Sequence, residues 1–161
     1  MIEIKPFESR FQPQVAALIL HIQRVENNVP LTLADQPDLL EIEAFYRKKN
    51  GNFWIAISDE TTVVGTIALI DSGLHFGTIR KMFVHADFRG KEKGIAAKLL
   101  AELENWAITH DIQTLYLGTL DRLHAAMNFY TKNGYTLIEP SLLPNTFPRM
   151  AVDNRFFRKT I

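Results

Sequence analysis

Arg89, Gly90, Lys91, Lys93 and Gly94 stand within six consecutive positions, just ahead of a run with helical periodicity. Three cations and two glycines at a helix start suit the binding of an anion. The first amides of a helix have no partner inside it, and the dipole there favours negative charge. The cations add charge beside those amides, and the glycines let a ligand come close to the backbone. Phosphate is the anion that suits such a place. No Gly-Lys-Ser/Thr follows the glycines, so this is not a Walker loop, and the G-x-G-x-x-G dinucleotide spacing is absent.

The elements on either side position this loop. Thr78 to His85 is rich in β-branched and apolar residues, as a buried strand requires. From Ile95 on, Ile95, Leu99, Leu103, Trp106 and His110 recur at helical steps with Ala96, Leu100 and Ala107 beside them, while Lys98, Glu102, Asn105 and Thr109 fall off that face. Thr114 to Thr119 reads as the next strand. The order strand, helix, strand makes those two strands parallel neighbours by the right-handed crossover rule. Upstream, Asn52 to Ser58 and Thr62 to Asp71 are strands joined by Asp59-Glu60-Thr61. Ser72-Gly73 turns the chain into the strand at Thr78, giving an antiparallel meander. Gly65 inside its strand marks a bulge or a close approach.

Ile2 to Pro6 reads as a short first strand, and Phe11 to Asn27 as a helix that buries Val15, Leu18, Ile19 and Ile22. A second helix is expected with Asp35 as N-cap, Pro37 in its first turn, and Asn50-Gly51 at its end. Leu123, Ala126, Met127 and Tyr130 share one helical face, closed by Asn133-Gly134. Tyr135 to Ile138 and Met150 to Phe157 read as the last strands. Phe147, Phe156 and Phe157 are expected as core or as contacts of a homodimer.

Composition bounds the rest. With 161 residues, 47% of them hydrophobic, the chain is expected to form one domain over residues 1–161 with a sizeable core. Lysine plus arginine equals aspartate plus glutamate, 18 each, which gives no reason to expect nucleic acid or a membrane surface as partner. There is no cysteine, so disulfides and thiolate chemistry are excluded. The opening residues lack a signal-peptide core, and no apolar run approaches the ~20 residues needed to span a bilayer. A cytoplasmic protein is the expectation. His21, His110 and His124 form no metal-ligand spacing, and no metal is expected.

Two stretches resemble signatures of the GNAT superfamily of N-acetyltransferases. Lys91-Glu92-Lys93-Gly94-Ile95-Ala96 resembles its coenzyme A loop, Arg/Gln-x-x-Gly-x-Gly/Ala, with lysine in the first place and Arg89-Gly90 two residues upstream. Ala126, Tyr130, Gly134 and Tyr135 match Ala-x-x-x-Tyr-x-x-x-Gly-Phe/Tyr with every spacing kept. The asparagine usual three residues before that alanine is Leu123. The resemblance covers Gly51 to Ile138 well and the ends loosely.

The resemblance implies an α+β fold of three layers. Its central sheet is mixed, mostly antiparallel and of about six to seven strands, with helices on both faces. A parallel strand pair splays to form the coenzyme cleft. It implies acetyl-coenzyme A as cosubstrate and a primary amine, small molecule or peptide, as acceptor. Backbone groups of Met82 and Val84 would pair with the pantetheine arm, and the amide of Phe83 or Val84 would polarise the thioester carbonyl. Arg89, Gly90, Lys91, Lys93, Gly94, Ile95 and Ala96 would hold the pyrophosphate, with the basic residue that meets it left open. By its place in the second signature Tyr130 would be the general acid, a phenol of pKa ~10 being protonated at neutral pH. Relatives carry a glutamate base on the strand of Thr78 to His85, and none stands there. His75, His85, Glu26 and Asp71 are the side-chain candidates, with His75 taken first and an ordered water chain as the equal alternative. A module that holds an acyl-coenzyme A without turnover is the alternative function.

Overall fold

The structure is a computed structural model and describes all 161 residues. Seven strands form one sheet: β1 (Ile2–Pro6), β2 (Asn52–Ser58), β3 (Thr62–Gly73), β4 (Phe76–Val84), β5 (Thr114–Thr119), β6 (Thr136–Ile138) and β7 (Arg155–Thr160). Their order across it is β1-β2-β3-β4-β5-β7-β6. Every neighbouring pair is antiparallel except β4 and β5. The helices are α1 (Gln12–His21), α2 (Ile42–Tyr46), α3 (Ile95–Thr109) and α4 (His124–Lys132). The expected mixed, mostly antiparallel sheet with one parallel pair is the sheet observed.

Both faces of the sheet are buried, and β2 shows why. Its side chains alternate, as the pleat requires. Phe53, Ile55 and Ile57 join the core under α1 and α2, with Phe7, Ile19 and Leu39. Trp54 and Ala56 join the core under α3, with Leu99 and Leu103. A strand apolar at every position from Phe53 to Ile57 therefore lies between two helical layers. Gly65 of β3 is the expected close approach: a Cβ there would stand 3.1 Å from Leu99 and 3.3 Å from Ala56. The register between β2 and β3 also shifts next to it.

Three elements depart from expectation. The first helix does not run regularly to Asn27, because Ile22–Glu26 winds as a π turn. The second helix splits into a 3-10 turn (Pro37–Leu40) and the single turn of α2. Asp35 does not cap it. Its carboxylate accepts from the Thr32 amide and hydroxyl, both at 2.9 Å, and so closes the preceding loop. Gln12 of α1 fills the break, donating to the Leu40 carbonyl at 2.8 Å and accepting from the Ile42 amide at 3.2 Å. The last strand begins at Arg155, not Met150, since Asp153 N–H donates to the Met150 carbonyl and Asn154 N–H to that of Thr119. That short loop lies against the end of β5. Phe156 and Phe157 beyond it are core.

Strands β4 and β5 pair only from Phe76 opposite Thr114 to Ile79 opposite Leu117. Beyond Ile79 they part. The cause lies on the other side of β4, where the register with β3 shifts around Lys81, whose φ is +55°. A bulge bends its strand and raises the local twist. The Thr66 hydroxyl, donating to the Lys81 carbonyl at 2.6 Å, holds this one in place.

Candidate active site

The parted strands open a cleft of about 1220 Å³. Its walls come from β4, β5, the loop before α3, the π turn, α4 and the segment before β7. Backbone groups along β4 take alternate directions. The His85 amide donates to the Val64 carbonyl at 2.8 Å, so the groups of Phe83 also turn toward β3. Those of Met82 and Val84 then face the gap, where β5 offers them no partner. An extended ligand can pair there as an added strand. With the Phe83 amide turned toward β3, the Val84 amide is, of the two expected, the one turned toward a ligand.

The loop supplies the anion end. Gly94 is the N-cap of α3 with φ +63°, and no side chain caps that helix. The amides of Ile95, Ala96 and Ala97 precede the first intrahelical bond, which runs from the Lys98 amide to the Gly94 carbonyl. All three residues line the cleft. The three cations of the loop are not equivalent. Arg89 donates from Nε to the Val84 carbonyl at 2.7 Å and is paired through Nη2 with Glu26. Lys93 donates to the Asp87 carbonyl and does not line the cleft. Lys91 lines it with its ammonium uncommitted. Arg89 and Lys93 thus brace the loop, and Lys91 is the charge left for a ligand. The parted strands, the uncapped amides and this charge fit a diphosphate joined to an extended arm.

Tyr130 of α4 lines the cleft and is 5% exposed. Its ring packs edge-on against Phe129 and Tyr135. Burial, and then the charge of Asp153, pushes its phenol well above the usual range. It is therefore protonated across the physiological range. Leu123, at the N-cap of α4, also lines the cleft but offers no polar side chain.

The expected bases are elsewhere. His75 sits in the turn before β4, at the end of the strand remote from the parting, and its Nδ1 lies 3.1 Å from Asp111. The assignment of His75 as base is therefore withdrawn. Asp71 accepts from the Asn50 and Gly73 amides in the same region. His85 accepts from the Asp87 amide, and Glu26 is taken by Arg89 and, at 3.9 Å, by His21. None of these four lines the cleft.

The structure brings other groups there. Lys81, 6% exposed, lies on the cleft wall and reaches into a buried network. It donates to Gln36 and lies 3.7 Å from Asp38, which accepts from the Tyr46 hydroxyl. Gln36 and Gln23 of the π turn exchange bonds at 2.8 and 3.0 Å. Burial lowers the Lys81 ammonium, with Asp38 opposing. Arg80 donates to the Pro148 carbonyl, but its Nε is buried without a partner. Asp153 also lines the cleft, and burial raises its carboxyl to about 6 against the opposing charges of Arg80, Lys81 and Arg149. Two adjacent cations inside an apolar strand were a visible signal for Arg80 and Lys81. Nothing in Val152-Asp153-Asn154 marks Asp153.

Comparison with known proteins agrees with this geometry. Residues 17–135 match the model of the acetyltransferase (GNAT) family. A GNAT-family acetyltransferase from Staphylococcus aureus superposes with a TM-score of 0.94 at 35% identity, over 99% of each chain. N-acetylaspartate synthetase of Danio rerio is 32% identical over 134 residues, 80% of this chain and 46% of that protein. The chain thus spans less than half the length of that relative. N-acetylglutamate synthase of Neisseria gonorrhoeae, solved with coenzyme A and N-acetyl-glutamate, shares the fold at 19% identity, with a TM-score of 0.77 over 99% of this chain and 35% of that one.

Proposed function

The chain belongs to the GNAT acetyltransferase family, and from that premise we propose that it transfers an acetyl group from acetyl-coenzyme A to a primary amine, both held at once in the cleft. The observation that carries this reading is the parting of β4 from β5 beside an uncapped helix start, with one protonated phenol between. The thioester supplies an activated acyl carbon, so no protein nucleophile is needed, in keeping with a chain that lacks cysteine.

The residues then have these tasks. Ile95, Ala96 and Ala97 present amides to the pyrophosphate, and Lys91 adds charge. Gly90 and Gly94 give the loop its positive-φ turns, at +127° and +63°. Met82 and Val84 hold the pantetheine arm, which fixes the reacting carbon. The Val84 amide is the donor to the carbonyl oxygen as charge builds on it. Tyr130 gives its hydrogen to the departing sulfur. Because its phenol is held protonated, it acts only when a base as strong as a thiolate develops beside it.

The acceptor end points to a compound with a carboxylate near its amine. Arg80 lines that end with a buried nitrogen unpartnered, and a guanidinium matches a carboxylate. The names of the zebrafish relative and the Neisseria structure, which concern aspartate and glutamate, agree with this choice. The test is thiol release from acetyl-coenzyme A with a panel of amines: aspartate, glutamate, their side-chain amides, a polyamine and an amino sugar. Release with a carboxylate-bearing amine is expected, at least ~10-fold faster than with the matching amide. Tight coenzyme binding with no release under any amine would replace this reading with that of a non-catalytic binding module.

A further inference from the structure

Asp153 is a carboxylate with no hydrogen-bond partner for its oxygens and no ion pair within 4.0 Å, on the wall of a cleft. Its place is fixed by backbone. Asp153 N–H donates to the Met150 carbonyl, and Asn154 N–H donates to the Thr119 carbonyl at 3.0 Å. The Asn154 side chain in turn accepts from the Asp121 amide at 2.8 Å. These bonds press the segment against the end of β5, past its last pairing with β4. There β5 carries Gly118, and a Cβ at that position would stand 2.5 Å from Asp153 Oδ2. The missing side chain of Gly118 is the space the carboxylate occupies. It therefore lies where the strands part, in the same cleft as Tyr130.

The groups that face it are few. Arg80 and Lys81 approach from β4, Arg149 from the segment before β7, and Tyr130 from α4. Lys81 is committed to Gln36 and Asp38, and Arg149 lies over the Phe156 ring. None of the cations comes within ion-pair distance of Asp153. Asp153 is half-buried, so its carboxylate, left unpaired beside three cations, stays open to a ligand in the cleft.

We propose that Asp153 is the base that takes the proton of the acceptor ammonium. The assignment rests on the acetyltransferase reading above and adds the amine side to it. The carboxylate accepts one proton from the ammonium and leaves a neutral amine. The amine nitrogen bonds to the acyl carbon as the carbon–sulfur bond breaks. Tyr130 gives its hydrogen to sulfur and regains one from nitrogen. The products are the amide, the thiol and one proton, which Asp153 returns to solvent. A group titrating near 6 is charged at neutral pH yet basic enough to hold that proton for a moment.

The test is the pH dependence of kcat/KM, measured with the best acceptor of the amine panel for the unaltered protein, Asp153→Asn and Asp153→Glu. The base works deprotonated, so the rate of the unaltered protein should rise about tenfold per pH unit below the Asp153 pKa of about 6 and level above it. Asp153→Asn should be slower by on the order of 10²- to 10³-fold at pH 7. Its rate should climb with pH toward the acceptor's own amine pKa, with no break near 6. Asp153→Glu should regain the break. In the ligand-free protein a carboxyl resonance should titrate near 6 and be missing from Asp153→Asn. Coenzyme A affinity by calorimetry should change less than about twofold, since the Asp153 side chain makes no bond that holds the fold and its backbone bond to Met150 is kept in the variant. An Asp153→Asn protein that keeps the acid limb, or that loses no titrating carboxyl, overturns the assignment alone. Absence of thiol release by the unaltered protein at every pH overturns the acetyltransferase reading and this assignment with it.

Discussion

The two halves of the cleft are built differently. The half proposed to take the coenzyme is backbone: the unpaired edge of β4, the amides that open α3 and glycines at positive φ. Its side chains mostly brace the loop, Arg89 on Val84 and Glu26, Lys93 on Asp87. The half proposed to take the acceptor is side chain: Gln23 from the π turn, Arg80 from β4 and Asp153 from the segment before β7. Backbone recognition tolerates many sequences and suits a ligand common to a family. Side-chain recognition changes with single residues and suits the ligand that differs between members.

This contrast can be broken at its junction first. Tyr130→Phe should cut turnover by about 10²- to 10⁴-fold and leave coenzyme affinity within about twofold. Matched losses in turnover and affinity would mean that the hydroxyl supports the fold and not the reaction. Next in size is Gly94→Glu, which sets a side chain in the left-handed region and a carboxylate where the phosphates bind. A Cβ there meets nothing closer than 3.8 Å, so the fold should hold. Coenzyme affinity should fall on the order of a hundredfold, and calorimetry showing unchanged affinity would move the coenzyme to another site.

Lys91→Ala sharpens the comparison, because a site made of backbone should lose little with one exposed charge. An affinity drop of about two- to fivefold, erased by high salt, is expected. A drop of a hundredfold would show that the loop binds through side chains after all. The smallest effect belongs to His75→Ala. The turn it occupies is exposed and remote from the cleft, so turnover should be unchanged and stability should shift by less than ~0.5 kcal/mol. A loss of turnover that varies with pH would return His75 to the reaction.

The same contrast explains what could be read early. The anion loop is local: strand, glycines and helix follow one another between Thr78 and His110, and the Ala126–Tyr135 signature lies in one further stretch. The acceptor side was misread. His75 has the right chemistry for a base, but its place in a hairpin turn puts it at the wrong end of β4. Asp35 has the right chemistry for a helix cap, but the Thr32 amide and hydroxyl reach it first.

The apolar run of β2, the period of α3 and the glycines of the loop fix which residues are buried and where the chain turns, because pleat and helix pitch are local properties of the backbone. The sequence alone therefore determined the strands before the last, the long helix, the anion loop and the phenol of α4. Contact between Gly118 and Asp153, 35 positions apart, follows from no such period. Only the folded sheet, by laying β7 against β5 and leaving no side chain at Gly118, decided which carboxylate stands in the cleft.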